Sequence, residues 1–275
     1  MKPARLLLAA ALLAGCVPYE GVLPDDGRGR SYTEIGQVFP ELDPGAQELQ
    51  SLHFLVKAYG ISQTRTYADA AEAAYTRIMN DTGLYSFKPR GLYRLVIYGT
   101  QDEYRKKTGQ PEWSGGVAVG NSIYTYASPR LEGVISHEMT HLIWFEYMGL
   151  GRVNADHRWV NEGLAVYQEA KSLGGAGQTE MFSVLKGNLR ASPLPMESMI
   201  RLVPATERAY EVSLWYAQAE SLVRFMIERG GRIGFSQFLG ALKDGNNFDS
   251  AVASGFPGQW SSLAHLEETW KRSLQ

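Results

Sequence analysis

The segment His137-Glu138-Met139-Thr140-His141 lies near the middle of the chain and has histidines at positions i and i+4. On a helix this spacing places both side chains on one face, where their imidazole rings can reach a single metal ion. Glu138 follows the first histidine directly and would lie beside the position that the metal leaves open. The segment therefore predicts a zinc site carried by a helix.

The residues on either side of this segment are mainly apolar and predict one continuous helix over residues 131–148. Leu131, Val134 and Ile135 precede the segment, and Leu-Ile-Trp-Phe at 142–145 follows it. A helix that is apolar nearly all round is expected to be buried. Unpaired buried polar groups are costly, and one metal ion would satisfy both histidines and the glutamate. A chance match, with the histidines hydrogen-bonded in the core, is the alternative interpretation.

The composition indicates a globular protein with a sizeable core. The chain has 275 residues, of which 44% are hydrophobic, and this supports one large domain or two lobes. The formal net charge is −2, and the sequence contains no long run of like charge. Nucleic-acid-binding surfaces are usually strongly basic, so we expect no nucleic-acid partner.

The N-terminus has the form of an export signal. A short basic segment at 1–5 precedes an apolar run at 6–13, which is too short to cross a membrane as a stable helix. The run ends in Leu13-Ala14-Gly15-Cys16, which resembles the lipobox of bacterial lipoproteins. The resemblance implies cleavage before Cys16, the only cysteine of the chain, and acylation of that residue. The alternative is an ordinary secretory signal with a coincidental cysteine.

These features predict a three-part organisation. Residues 1–15 form the lipoprotein signal peptide, residues 16–44 form a tether rich in Gly, Pro and Asp, and residues 45–275 form the main domain. Several acyl chains anchor a protein stably to a membrane. We therefore expect a membrane contact through Cys16 in the bacterial cell envelope, outside the cytoplasm. Val17 rather than Asp after the cysteine favours the outer membrane, by the usual sorting pattern of bacterial lipoproteins.

Apolar periodicity and turn residues predict the elements of the main domain. Residues 92–98 contain Leu95-Val96-Ile97 and predict a strand at the centre of a sheet. A further strand is predicted over 121–126. Helices are predicted over 46–58, 67–79, 101–107, 131–148, from about 159, and over 213–229, 235–242 and 263–274.

A glycine-rich segment, residues 113–120, precedes the strand at 121–126. Glycines inside a strand pattern can mark a bulge or a close approach of another backbone. In a protease, an edge strand at this place could pair with an extended peptide, and Gly116 and Val117 would then bind substrate. A glycine-rich hairpin without a ligand explains the pattern equally well.

A catalytic zinc ion usually has three protein ligands and a water molecule, so a third ligand is needed. An extended H-E-x-x-H-x-x-G-x-x-H motif is excluded, because Trp144 and Tyr147 stand where glycine and histidine are required. The candidates that remain downstream are Glu146, Asp156, His157 and Glu162.

The spacing favours Glu162 among these candidates. Glu146 lies on the same helix as His141 and cannot turn back to the same ion, whereas Asp156 and His157 fall in a polar loop without a recognisable spacing. Glu162 lies 21 residues after His141, which leaves room for the first helix to end and a second to return.

The combination of His137-Glu138-x-x-His141 with Trp159-x-Asn161-Glu162-Gly163-x-Ala165 resembles the gluzincin metallopeptidases. It is most similar to the zinc aminopeptidase-like group and to the small peptidase MA-like domains of bacteria. The similarity extends over about residues 115–239. It implies that Glu162 is the third zinc ligand.

The resemblance also implies a tyrosine that hydrogen-bonds the oxyanion of the tetrahedral intermediate. Tyr210 and Tyr216 are the candidates, and Tyr216 is favoured because it opens the helix that continues through 221–226. A core tyrosine is the alternative interpretation. The G-x-M-E-N stretch of the aminopeptidases is absent, and residues 116–120 occupy its place without a carboxylate. An endopeptidase or another hydrolase is therefore expected rather than an aminopeptidase.

Together these features predict an α+β, zincin-like metallopeptidase domain. A sheet-containing part at about 45–148 would be followed by a helical C-terminal lobe at about 152–275. Zn²⁺ would be held by His137, His141 and Glu162, with Glu138 as general base and Tyr216 at the oxyanion. The expected partner is a peptide or protein substrate.

Two other classes are compatible with parts of this pattern. One is a non-catalytic lipoprotein that keeps a metal-stabilised zincin fold and acts as an envelope binding or assembly module. Glu138 argues against it, since a structural site has no use for a carboxylate beside an open position. Structural zinc sites are also usually closed by four protein ligands, often cysteines. The other class is an inactive domain that binds no metal.

Overall fold

A computed structural model of the chain describes residues 39–149, 155–189, 193–202 and 209–274. The predicted signal peptide, Cys16 and most of the predicted tether lie outside these residues. The strands are β1 (Ala46–Gln50), β2 (Phe54–Tyr59), β3 (Tyr93–Tyr98), β4 (Gly116–Val119) and β5 (Ser122–Tyr126). The helices are α1 (Ile61–Thr82), α2 (Gln101–Thr108), α3 (Leu131–Met148), α4 (Arg158–Ser172), α5 (Gly175–Leu189), α6 (Met196–Arg201), α7 (Ala209–Gly230), α8 (Arg232–Lys243), α9 (Phe248–Gly255) and α10 (Leu263–Ser273).

The described residues form two compact units. The first comprises residues 39–76 and Lys88–Glu146, and the second comprises Arg77–Phe87 and residues 147–274. The first unit holds the whole sheet, and the second is helical.

The sheet of the first unit has the strand order β1-β2-β3-β5-β4. The inner pairs β2–β3 and β3–β5 are parallel, and the outer pairs β1–β2 and β4–β5 are antiparallel. The central strand β3 is buried along Leu95, Val96 and Ile97, as the sequence predicts. Strand β4, which lies within the glycine-rich segment, is at an edge of the sheet.

The predicted helix at 46–58 is wrong. These residues form β1, a short turn and β2, with Ser51 N donating a hydrogen bond to Phe54 O across the turn. In β2 the buried side chains alternate, which is the period of a strand. Leu52, which the helical pattern placed on an apolar face, lies in the turn and is 79% exposed. Pairing of β2 with β3 overrides a local pattern that fits a helix.

Residues 39–43, which the sequence predicts to be part of the tether, pack on the sheet. The Phe39 ring lies edge-on to Tyr124 at 5.0 Å between centroids, and the Tyr98 hydroxyl donates to Pro40 O at 2.8 Å. Lys107 Nζ donates to Asp43 Oδ1 at 2.7 Å. Residues 39–43 thus contact both the sheet and helix α2.

The motif helix α3 runs from Leu131 to Met148, with the bounds that the sequence predicts. Ile135, Met139 and Leu142 are completely buried on it. Gly149 follows with φ of 83°, a left-handed conformation that glycine adopts readily and that ends the helix. The apolar residues on all sides of this segment therefore indicate a buried helix, as the structure shows.

The second unit is built on α7, whose buried face includes Trp215, Leu222 and Met226. Helix α4 packs on it at Gly163. The predicted helices of this region are confirmed with small differences at their ends, and α5, α6 and α9 are additional. No described helix is both long enough and apolar enough to span a membrane. The α+β fold with a helical lobe confirms the predicted fold class.

Candidate metal centre

Helix α3 carries both histidines and the glutamate of the motif into the interior. His137, Glu138 and His141 are 3%, 1% and 5% exposed. The two imidazole rings are 4.9 Å apart between centroids and inclined at 74°. One helical turn separates the histidines, so the helix itself sets this distance.

Helix α4 supplies the third side chain of the site. Glu162 lies one turn after the helix start and is 2% exposed, between the buried residues Asn161 and Gly163. The first turn of α4 is anchored by Trp159, which is completely buried. The acidic side chain is thus held inside the protein, where a carboxylate needs a partner of opposite charge or strong hydrogen bonds.

His137, His141 and Glu162 each place one ligand atom within 4.8 Å of the others. Two imidazole nitrogens and one carboxylate oxygen form a donor set that suits a divalent metal and leaves a coordination position open. All three side chains are buried, where a metal ion would satisfy them together. The residues therefore fit a metal centre with three protein ligands.

The other candidate ligands lie elsewhere or are engaged differently. Glu146 accepts hydrogen bonds from Arg90 N and from the Tyr93 hydroxyl, both at 2.6 Å, and so ties the end of α3 to the loop before β3. His157 packs its ring edge-on against Phe248, and burial lowers its pKa from the usual value. Within the described part of the chain, His137, His141 and Glu162 are the group placed to share a metal ion.

Glu138 lies against the backbone of strand β4. A Cβ atom built on Gly116 would lie 3.2 Å from Glu138 Cγ and 2.6 Å from Val134 Cγ1. The absence of a side chain at position 116 therefore lets the strand cross directly over this turn of α3. The two sequence features, glycine-rich strand and motif helix, meet here.

Strand β4 carries both residues that the sequence nominates for substrate binding. Gly116 pairs with Thr125 and Val117 pairs with Tyr124 on β5. Val117 is buried in a hydrophobic cluster on the sheet with Tyr98, Tyr104 and Tyr124. Its side chain belongs to the core, whereas its strand lies at the sheet edge.

Tyr216 lies inside α7, two turns after the helix start, rather than at its opening. Its ring is buried and lies edge-on to Trp215 at 5.1 Å between centroids. Trp215 Nε1 in turn donates to Met199 O at 2.9 Å. Tyr210 is in the first turn of the same helix, and its side chain lies outside the described residues.

The sequence gives no sign of the contacts that Gly116 and Gly163 make, or of the two hydroxyl groups that hold the strand of Gly116. A Cβ on Gly163 would lie 2.3 Å from Ala219 O, so α4 and α7 touch through their backbones next to Glu162. Ser114 Oγ donates to Gly116 O at 3.0 Å, and Thr125 Oγ1 donates to Gly115 O at 2.8 Å. The glycine after Glu162 was visible in the motif, but nothing in the sequence indicates what it contacts.

A second buried carboxylate lies in the helical unit. Glu220 on α7 is completely buried, and burial raises its pKa to about 7, while the guanidinium of Arg224 opposes that shift. Arg224 Nε donates to Glu220 Oε1 at 2.8 Å, and the guanidinium lies over the Phe182 ring of α5. This pair belongs to the packing of α5 on α7 and contributes no ligand to the metal group.

A mixed α+β fold with a helical lobe and a buried His-His-Glu group defines a zincin-like domain. Residues 70–275 match the sequence profile of the Peptidase MA superfamily, and the chain belongs to that superfamily. No curated protein matches the chain. Membership of the superfamily favours a peptidase-type hydrolase that uses a metal.

Proposed function

We propose that the protein is a zinc-dependent metallopeptidase of the gluzincin type that hydrolyses peptide bonds with an activated water molecule. The observation that carries the proposal is the convergence of His137, His141 and Glu162 within 4.8 Å. Membership of the Peptidase MA superfamily supports the same reaction class. Glu138 on the motif helix supplies the acid–base group that such a reaction needs.

The ligand set would account for metal binding with an open coordination position. His137 and His141 would hold the ion from α3, and Glu162 would hold it from α4. At such a site zinc supplies two effects, a lowered pKa for water and polarisation of the scissile carbonyl. Three protein ligands leave room for water and substrate, whereas a structural site would be closed by a fourth.

Glu138 and Tyr216 perform the proton transfer and charge stabilisation in this proposal. Glu138 takes a proton from the attacking water and delivers it to the nitrogen of the leaving amine. Tyr216 donates a hydrogen bond to the oxygen that becomes negative in the tetrahedral intermediate. This hydrogen bond is strongest when the charge has developed, so it lowers the barrier rather than improving substrate binding.

The strand register suggests how a peptide would bind along β4. Residues Gly120 and Asn121 form a two-residue turn, and Arg94 N donates to Asn121 O across β3 and β5. Since hydrogen-bonding directions alternate along a strand, Val117 turns its amide and carbonyl toward β5. Gly116 and Ala118 then turn theirs away from β5, where the Gly116 carbonyl accepts a hydrogen bond from Ser114 Oγ. An extended peptide would pair with the remaining main-chain groups of Gly116 and Ala118, in the β-augmentation mode.

We also propose that the protein is anchored to the cell envelope through a lipid on Cys16, possessing a signal peptide over residues 1–15 and a tether before the sheet. The N-terminal sequence supports this proposal. A Cys16→Ala variant should move from the membrane fraction to the soluble fraction of the envelope. Retention of the variant in the membrane would contradict a lipid anchor at this residue.

Metal analysis of a soluble form lacking residues 1–16 tests the enzyme proposal. We expect one zinc ion per chain, lost in Glu162→Ala and kept in His157→Ala, since His157 lies outside the ligand group. Hydrolysis of fluorescein-labelled casein would then be measured on the same samples. Absence of zinc under metal-replete conditions would refute the enzyme proposal. Bound zinc without hydrolysis of casein or of a peptide library would favour a non-catalytic envelope binding or assembly module.

A further inference from the structure

We propose that Gly116 is a positioning residue for Glu138. The backbone of β4 at Gly116 lies against the aliphatic part of the Glu138 side chain and so fixes the position of the general base. This inference rests on the proposed role of Glu138. Gly116 would then have this role in addition to its proposed main-chain contact with the substrate. The effect is steric, because any side chain at position 116 would collide with Val134 and Glu138.

The contact distances identify which atoms would have to move. A Cβ on Gly116 would lie 2.6 Å from Val134 Cγ1, 3.2 Å from Glu138 Cγ and 3.3 Å from Tyr124 O. The first distance is far shorter than any ordinary contact between carbon atoms. Position 116 is therefore a place where glycine permits a close approach of strand and helix.

Strand β4 cannot move away from the helix without losing several bonds. Ser114 Oγ, itself hydrogen-bonded to the Tyr104 hydroxyl at 2.8 Å, donates to Gly116 O. Thr125 Oγ1 donates to Gly115 O, and both hydroxyl groups are buried. On the opposite face, Val117 is packed in the hydrophobic cluster of the sheet. The strand is thus held by these hydrogen bonds and by the packing of Val117.

Helix α3 is equally unable to move away, because Ile135 and Met139 are completely buried in the core. Val134 is β-branched, and such a side chain has one strongly preferred rotamer in a helix. Glu138 has a flexible stem with three rotatable bonds. The stem of Glu138 would therefore yield first, and its carboxylate would leave the position needed for proton transfer.

The test removes side-chain volume from Val134 on the helix and adds it at Gly116 on the strand. The double variant Gly116→Val/Val134→Ala keeps the number of apolar carbon atoms nearly unchanged, and its valine would press on the Glu138 side chain. The double variant Gly116→Ala/Val134→Ala has a smaller side chain at position 116 and would press on Glu138 less. Val134→Ala alone is the matched control. Gly91→Ala is a second control, because a Cβ there meets nothing within 4 Å. Zinc content, melting temperature, and kcat and KM on labelled casein are measured for each variant.

We expect all variants to keep one zinc ion per chain, because the ligands are unchanged. Relative to Val134→Ala, kcat should fall about 10-fold with alanine at position 116 and about 100-fold with valine, with KM little changed, since misplacement of a catalytic group by about 1 Å can cost this much. A double variant that is as active as Val134→Ala would overturn the inference. Equal losses of zinc and activity would also overturn it, because they would indicate a general distortion of the site.

Crystal structures of the zinc-loaded wild type and the Gly116→Val/Val134→Ala variant separate this inference from the proposed function. If the wild type binds zinc but hydrolyses neither casein nor a peptide library, the proposed function fails, and the structures still decide the steric claim. Displacement of the Glu138 carboxylate with unmoved His137 and His141 supports the positioning role. If the Glu138 carboxylate of the variant lies where it does in the wild type, the positioning role is overturned.

Discussion

Gly163 lies against the backbone of Ala219, so that a Cβ on the glycine would be 2.3 Å from the Ala219 carbonyl oxygen and 2.9 Å from Val223 Cγ2. At this contact the backbones of α4 and α7 meet directly, one residue after Glu162. Because the nearest atoms belong to a helical backbone, they cannot turn aside as a flexible side chain would. The glycine thus fixes the spacing between the helix of Glu162 and the helix of Tyr216.

The Gly163→Ala variant should bind zinc more weakly and unfold at a lower temperature. The added methyl group forces α4 and α7 apart and shifts Glu162, with a loss of about 1–3 kcal/mol in stability, typical of overpacking. Chelator competition and thermal unfolding measure the two effects. Gly187→Ala on α5 is the control, because nothing lies within 4 Å of its added Cβ. Unchanged zinc affinity in Gly163→Ala would show that the helix contact does not position Glu162.

The Glu138→Gln variant should keep one zinc ion per chain and lose activity. The amide preserves the size of the side chain but cannot accept the proton of the attacking water, so we expect kcat to fall by about 10²–10⁴-fold. Parallel measurements of zinc content and casein hydrolysis test this role. Near-normal hydrolysis with full zinc content would show that another group acts as the base.

Tyr216→Phe and Tyr210→Phe variants distinguish the two tyrosine candidates. Removal of an oxyanion donor typically lowers kcat by about 10²–10³-fold. We expect that loss for Tyr216→Phe, with little change in KM or in zinc content, and a small effect for Tyr210→Phe. The reverse order of effects would transfer the oxyanion role to Tyr210.

Glu220 should make the stability of the protein depend on pH. Its pKa is raised to about 7 in the folded protein by burial, above the usual 4.5, so between these values the folded chain holds a proton that the unfolded chain has lost. The contribution of Glu220 to the free energy of unfolding is therefore fully present below about pH 4.5 and is lost as the pH rises through about 7. The total loss is at most about 3 kcal/mol.

Melting temperatures at pH 5 and pH 8 test this linkage. The Glu220→Gln variant should lose the contribution, so its melting temperature should change less between the two conditions than that of the wild type. Glu268→Gln serves as control, because Glu268 is largely exposed and pairs with Arg272 at the surface. An identical pH dependence in wild type and Glu220→Gln would contradict the raised pKa.

Lys171 should contribute much more to stability than a surface cation. Its ammonium donates to both carboxylate oxygens of the buried Asp81, at 2.9 Å and 2.7 Å, and Gln168 Nε2 donates to the same carboxylate at 3.0 Å. Lys171→Met would leave a buried carboxylate without its cation, at a cost of about 3 kcal/mol. The exposed pair Arg201–Glu197 provides the comparison, and Arg201→Met should cost less than about 1 kcal/mol. Equal losses on chemical denaturation would refute the difference.

Much of the site was predictable because its signals are local. The spacing of His137 and His141 and the apolar residues around them define one helix and one face, which the structure reproduces from Leu131 to Met148. The sequence favours Glu162 by its distance from His141 and by a motif, and the structure brings it to the two histidines. The run Leu95-Val96-Ile97 likewise marked a strand that is buried on both faces.

The segment 46–58 shows where local signals fail. Leu49, Leu52 and Leu55 recur at helical spacing, yet β1 and β2 form there because β2 gains a parallel partner in β3 and buries Phe54, Val56 and Ala58 against the core. Such pairing joins residues far apart in the sequence. Intrinsic preference is weak enough for it to be overridden.

The amino-acid sequence predicts the motif helix and the two histidines from spacing along one element. It favours Glu162 by its distance from His141 and by the resemblance to the gluzincin metallopeptidases. That Gly116 lies on Glu138 and Gly163 on Ala219 becomes visible only in the folded structure. A glycine in a sequence shows only that no side chain is present. Which atoms occupy the space in its place depends on how strands and helices distant in sequence pack, and close packing leaves no room there for a methyl group.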